Sequence, residues 1–111
     1  GIDSHGELRC LRATDGERLW ESLEIVPRAR WSTAHLVPNG DRVWVFNERG
    51  ELLITSMTPE GVEIGSRAQL IDPTKDQLNR RGGVTWSHPA FAYRRIFARN
   101  DRELICASLE K

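Results

Sequence analysis

Histidine and cysteine are the residues of this 111-residue sequence best suited to metal or nucleophilic chemistry. The three histidines, His5, His35 and His88, show neither the HxH nor the HExxH spacing of zinc sites. Cys10 and Cys106 are far apart and form no CxxC pair, so we expect both to be small buried side chains. Paired acids for general acid–base catalysis cannot be picked out either. The sequence therefore predicts no metal site, no cofactor site and no catalytic residue.

Basic side chains cluster on one segment and suggest a contact surface. Lys75, Arg80 and Arg81 lie close together, and His88 follows at the start of the next apolar run. These four residues are the predicted partner-contact residues, because insertions on a repeat scaffold often carry binding. The alternative for the three cations is a solvated helix end, where they complement the helix dipole. The alternative for His88 is a hydrogen-bonded structural role.

Charge and hydropathy give no support to two broad classes of partner. Sixteen Lys and Arg residues balance sixteen Asp and Glu residues, so the formal net charge is zero and gives nucleic-acid binding no global support. No stretch approaches the roughly 20 apolar residues needed to cross a bilayer. We expect a protein partner, with neither nucleic-acid binding nor direct membrane insertion.

An internal repeat organises the elements that carry these residues. A Glu-Leu step opens a short apolar run at Leu8, at Leu52 and at Leu104. The offsets are 44 and 52 residues, close to the roughly 40–50 residues of a repeating blade. Trp-Ser pairs at Trp31 and Trp86 repeat in the same order. The runs between these landmarks are β-branched or aromatic and are separated by turn residues such as Asn-Gly, which predicts short antiparallel strands.

The predicted fold is all-β, with about two and a half four-stranded antiparallel blades. We assign residues 1–27 to the last two strands of a blade, residues 28–71 to a complete blade and residues 84–111 to the first three strands of another. Residues 72–83 form the insertion between them. Its Asp-Pro start, basic end and following glycine predict a short helix near residues 73–81. Trp20, Trp31, Trp44 and Trp86 are expected to pack in the core.

The segment from residue 6 to residue 20, GELRCLRATDGERLW, resembles the PQQ-like repeat. Such repeats have an apolar strand, a turn ending in Gly and a Trp four residues later. The resemblance implies a β-propeller, and we expect this chain to be a C-terminal piece of a longer one. It also implies a location in the periplasm or cell envelope.

Two functions follow from the resemblance. The first is a non-catalytic protein-interaction scaffold, similar to the BamB-like assembly factors of the bacterial envelope. The alternative is the C-terminal fragment of a quinoprotein oxidoreductase, whose cofactor residues would lie upstream. Because too few strands are present to close a ring, we expect either self-association or contact with the remaining blades of a parent chain.

Overall fold

A computed structural model describes residues 1–76 and 82–110. Within that part of the chain the fold is all-β and antiparallel, as predicted, with three sheets. The first sheet contains β1 (Leu8–Leu11) and β2 (Arg18–Ser22). The second contains β3 (Ala34–Asn39), β4 (Arg42–Asn47), β5 (Glu51–Thr58) and β6 (Gly61–Gln69). The third contains β7 (Ala90–Ala92), β8 (Arg95–Arg99) and β9 (Leu104–Ser108).

The second sheet lies between the other two and is buried on both faces. Val45 and Leu53 belong to a core cluster shared with the first sheet, whereas Phe46 and Leu52 belong to a cluster shared with the third. Successive side chains of a strand point to opposite faces, so adjacent apolar residues serve both clusters. This arrangement explains why β4 and β5 show continuous apolar runs in place of alternation.

One turn recurs in all three sheets, immediately before the repeated leucines. Asp3, Asn47 and Asn100 each accept hydrogen bonds through a side-chain oxygen from two backbone N–H groups that lie two to four residues later. In the two asparagine turns the side-chain amide also donates to a backbone carbonyl outside the turn, that of Ile25 or Asp72. The sequence repeat therefore has a structural counterpart at the level of single hydrogen bonds.

The helix predicted near residues 73–81 is not formed in the described part of this segment. Thr74 makes an antiparallel bridge with Val84, with hydrogen bonds in both directions between their backbones, so the chain is extended there. The Thr74 hydroxyl also donates to the Asp101 carboxylate. The contacts of Thr74 with Val84 and Asp101 have overridden the local capping signal at Asp72 and Pro73. Residues 77–81 lie outside the described residues.

The expected burial is wrong for Trp31 and for the two cysteines, whereas Trp20 and Trp44 pack on the core clusters as predicted. Trp31 is 49% exposed with a backbone φ of 65°, and the Arg30 guanidinium lies over its ring. Cys106 is exposed and Cys10 is half-buried, and both thiols are free. Trp20, by contrast, packs between the first and second sheets, and its indole N–H donates to the Thr58 carbonyl at 2.7 Å.

Candidate functional site

A groove of about 820 Å³ opens between the second and third sheets. We call it the inter-sheet groove; its walls are residues 37–39 and Trp44 of the second sheet, and residues 91–95 and 109–110 of the third. Pockets of about 300–1,000 Å³ are the usual size for small ligands or for a few side chains of a partner. The groove is therefore large enough for specific binding.

Two aromatic rings line the groove. Trp44 and Phe91 meet edge to face, with 5.4 Å between ring centroids, across the junction of the two sheets. Both rings pack on the second core cluster, which contains Phe46 and Ile96. The two rings therefore form an apolar patch in the wall of a groove that is otherwise partly polar.

The turn from β7 to β8 forms one rim of the groove and has an unusual backbone. Ala92 pairs with Arg95, so Tyr93 and Arg94 are the two central residues, and their φ angles are 52° and 56°. Turns with positive φ at both positions strongly favour Asn-Gly, because a side chain in the left-handed region costs about 1 kcal/mol or more. Tyr93 is also 91% exposed. A bulky aromatic side chain therefore stands in solvent on a strained turn.

Charge near the rim is predominantly positive. Arg94 and Arg95 both line the groove, and the guanidinium of Arg94 lies 3.2 Å from the carboxylate of Glu110. Both partners of this ion pair are exposed, so the pair contributes little to stability. A carboxylate on a binding partner could thus compete with Glu110 at low energetic cost.

A second feature joins the same two sheets at His35 and His88. The ring centroids of these histidines are 4.5 Å apart. His35 Nε2 lies 3.3 Å from the Trp86 carbonyl oxygen, and His88 Nδ1 lies 2.7 Å from the Pro89 carbonyl oxygen. Because a carbonyl oxygen only accepts, these ring nitrogens are the protonated ones. Partial burial lowers the pKa of His35; the bond to Trp86 opposes this effect, and the charge of His88 adds to it.

This geometry predicts a loss of stability in mild acid. The pKa of His35 is lower in the folded than in the unfolded chain, so the folded state is favoured above the ordinary value of 6.5 and loses that advantage as pH falls below it. Solvent screening of the half-exposed ring limits the loss to less than about 1 kcal/mol. Urea unfolding from about pH 7.5 to 5.5, above the carboxylate range, should show this slope and a flatter one for His35→Gln. Equal slopes would contradict it.

The predicted partner-contact residues are only partly described. Lys75 is exposed beside the bridge at Thr74, and Arg80 and Arg81 lie outside the described residues. His88 is exposed at the junction with the second sheet, in contact with His35. Sequence reasoning missed Tyr93 and Arg94. Their only signal is a Tyr-Arg pair between two short apolar runs, where an Asn-Gly type of turn would be ordinary.

The described residues contain no cluster of three or more His, Cys, Asp or Glu side chains that could hold a metal ion. Cys10 lies in the first sheet and Cys106 in the third. Across residues 1–76 and 82–110, no helix is long and apolar enough to span a bilayer. No protein-family model and no curated protein sequence matches this chain.

Proposed function

We propose that this chain is a non-catalytic protein-interaction scaffold that binds a partner in the inter-sheet groove. Following the resemblance of its sequence, we further propose that it forms part of a larger propeller of PQQ-like repeats in the cell envelope. The recurrent turn at Asp3, Asn47 and Asn100 supports a chain of repeated sheet units. Units that stack face to face give a rigid frame for the loops between them.

The Tyr93-Arg94 turn is the single observation that carries the binding proposal. Its two side chains occupy positions where the backbone favours Asn-Gly, so they stay there at a cost to stability. Tyr, Trp and Arg are the residue types that dominate binding energy at protein interfaces. Tyr93 is exposed, and it lies with Arg94 beside an open groove that has Trp44 in its wall. Backbone strain is often stored at functional sites, so the strained turn supports a role in binding.

The shape and charge of the groove define the segment that would fit. An apolar side chain of the partner would enter against Trp44 and Phe91, since their edge-to-face pair lies in the groove wall. An acidic side chain next to it would meet Arg94 or Arg95 and displace Glu110 from its exposed ion pair. The expected partner is therefore a peptide segment that combines an apolar anchor with a neighbouring carboxylate.

A variant of the turn tests this proposal, because it separates stability from binding. Tyr93→Asn with Arg94→Gly introduces the residue types that a turn with two positive φ angles favours. We expect the double substitution to raise the free energy of unfolding by about 1–2 kcal/mol. Peptides selected from a displayed random library on the unmodified chain should bind this variant at least about tenfold more weakly. Calorimetric titration measures the affinity and urea unfolding measures the stability.

The matched control is Asp41→Ala in the corresponding turn of the second sheet, which should leave affinity unchanged. Asp41 is exposed in the two-residue turn between β3 and β4 and does not line the groove. The selected peptides should share an apolar residue next to an acidic one. Recovery of no binding peptide, or of peptides that bind both variants as tightly as the unmodified chain, would refute the proposal.

A further inference from the structure

The edges of the three sheets differ in how they are protected from pairing with another strand. The outer strands β2 and β6 carry charged residues, including Glu21 and Arg67, and their pairings with β1 and β5 each contain a register break. The edge strand β3 contains Pro38, and β7 has only three residues. Charge, proline, bulges and short length are the usual means of blocking an exposed edge.

Strand β9 has none of these protections. It is an edge strand of five residues, Leu104–Ser108, with no charge, no proline and no register break against β8. Leu104 is 70% exposed, and Cys106 is also exposed. An uncharged strand with an open edge is a template for strand addition.

The register shows which backbone groups of β9 are open. Hydrogen bonds join Asn100 N to Glu103 O and Leu109 N to Arg94 O, at the two ends of the β8–β9 pairing. Because such bonds alternate along an antiparallel pair, the N–H and C=O groups of residues 105 and 107 face β8, and those of residues 104, 106 and 108 point away from it.

We propose that a second copy of this chain pairs with β9, strand to strand and antiparallel, to form a continuous six-stranded sheet. In this dimer the second copy takes the position that a fourth strand would hold in a complete propeller blade. Opposite residues must lie on the same face, and a two-fold axis at Cys106 meets this condition while pairing all five residues. Cys106 then faces Cys106 of the second copy, Leu104 faces Ser108, and the core-facing Ile105 and Ala107 face each other.

Charge complementarity supports this occupant. Continuing the same register beyond the strand places Arg102 of one copy opposite Glu110 of the other, and the symmetry repeats this contact at both ends. Both side chains are exposed, and their present ion pairs, with Asp76 at 3.6 Å and with Arg94 at 3.2 Å, are ones that solvent weakens. No like charges oppose each other within β9, so nothing in the strand disfavours self-pairing.

Analytical ultracentrifugation of three chains that all carry Cys10→Ser tests the proposal. The chain with Cys106 and the Cys106→Ser chain should both sediment as dimers under reducing conditions. Cys106→Lys places two ammonium groups opposite each other, so the dissociation constant of its dimer should be higher by a factor of about ten or more. Because residue 106 is exposed and its N–H faces away from β8, thermal unfolding should show the Lys variant folded.

Crosslinking gives an independent reading of the register. Opposed residues whose N–H and C=O groups bond each other lie about 5.5 Å apart between Cα atoms, within the disulfide range of about 4.4–6.8 Å. Copper-phenanthroline, which takes up the two electrons of two thiols, should therefore link the copies through Cys106. The proposal would be overturned if the chain were monomeric at every attainable concentration. It would also be overturned by a dimer that neither forms the Cys106 crosslink nor dissociates more readily when it carries Cys106→Lys. A monomer would also be the result if a different polypeptide occupied this edge.

Discussion

Gly50→Ala is expected to lower the free energy of unfolding by about 3 kcal/mol or more, enough to remove much of the stability of a domain this size. Gly50 has a φ of 76°, and a Cβ atom there would lie 1.9 Å from the Ile71 carbonyl oxygen. That backbone cannot move away cheaply, because the N–H groups of Leu70 and Ile71 both donate to the Gly50 carbonyl. Urea unfolding followed by circular dichroism measures the loss.

Gly40→Ala is the matched control for this steric argument. Gly40 has a φ of 62°, so alanine there meets similar backbone strain, but nothing lies within 4 Å of the added Cβ. The expected loss is about 1 kcal/mol. If the two variants lost equal stability, the close approach of Gly50 to Ile71 would not be the cause, and the predicted role of this contact would be wrong.

Asn47→Ala is expected to cost about 3 kcal/mol, because one side chain satisfies several backbone groups at once. Asn47 is 1% exposed. Its Nδ2 donates to the Ile25 carbonyl at 2.8 Å, and its Oδ1 accepts from the N–H groups of Arg49 and Glu51. Alanine would leave these groups buried or half-buried without that partner. Chemical unfolding at neutral pH measures the difference.

The control for Asn47 is a similar bond in an exposed turn. Asp15 Oδ1 accepts from the Glu17 N–H at 3.0 Å, and both residues are in solvent. Asp15→Ala should therefore cost much less than Asn47→Ala, since water replaces the lost partner. A loss for Asn47→Ala no greater than that for Asp15→Ala would show that the buried turn does not hold neighbouring segments together.

Both large predictions concern the turn between β4 and β5, and this turn connects three parts of the fold. Asn47 bonds the segment that leaves the first sheet, at Ile25. Glu48 is 1% exposed and bonds the segment that enters the third sheet: its backbone oxygen accepts from the Thr85 N–H, and its carboxylate accepts from the Trp86 indole. A turn that links neighbouring sheets in this way keeps the walls of the inter-sheet groove in a fixed relation.

The order of the strands along the chain could be predicted from local sequence patterns. Short β-branched and aromatic runs set apart by turn residues are local signals, and they placed strands around Leu8, Leu52 and Leu104. The adjacent apolar residues of β5 fit this local pattern too, because Leu52 and Leu53 pack in different clusters on the two faces of the sheet. Signals of this kind succeed because strand formation and turn geometry depend on neighbouring residues.

Other features depend on contacts between segments that are distant in the sequence. The Asp72-Pro73 start is a good local helix signal, but Thr74 pairs with Val84 and the segment is extended. Trp31 and Cys106 are apolar types, yet their exposure depends on what lies opposite them, which spacing does not reveal. The inter-sheet groove arises in the same way, because Trp44 and Phe91 meet only when two sheets stack. Burial and cavities are properties of contacts between distant segments, so a one-dimensional pattern leaves them undetermined.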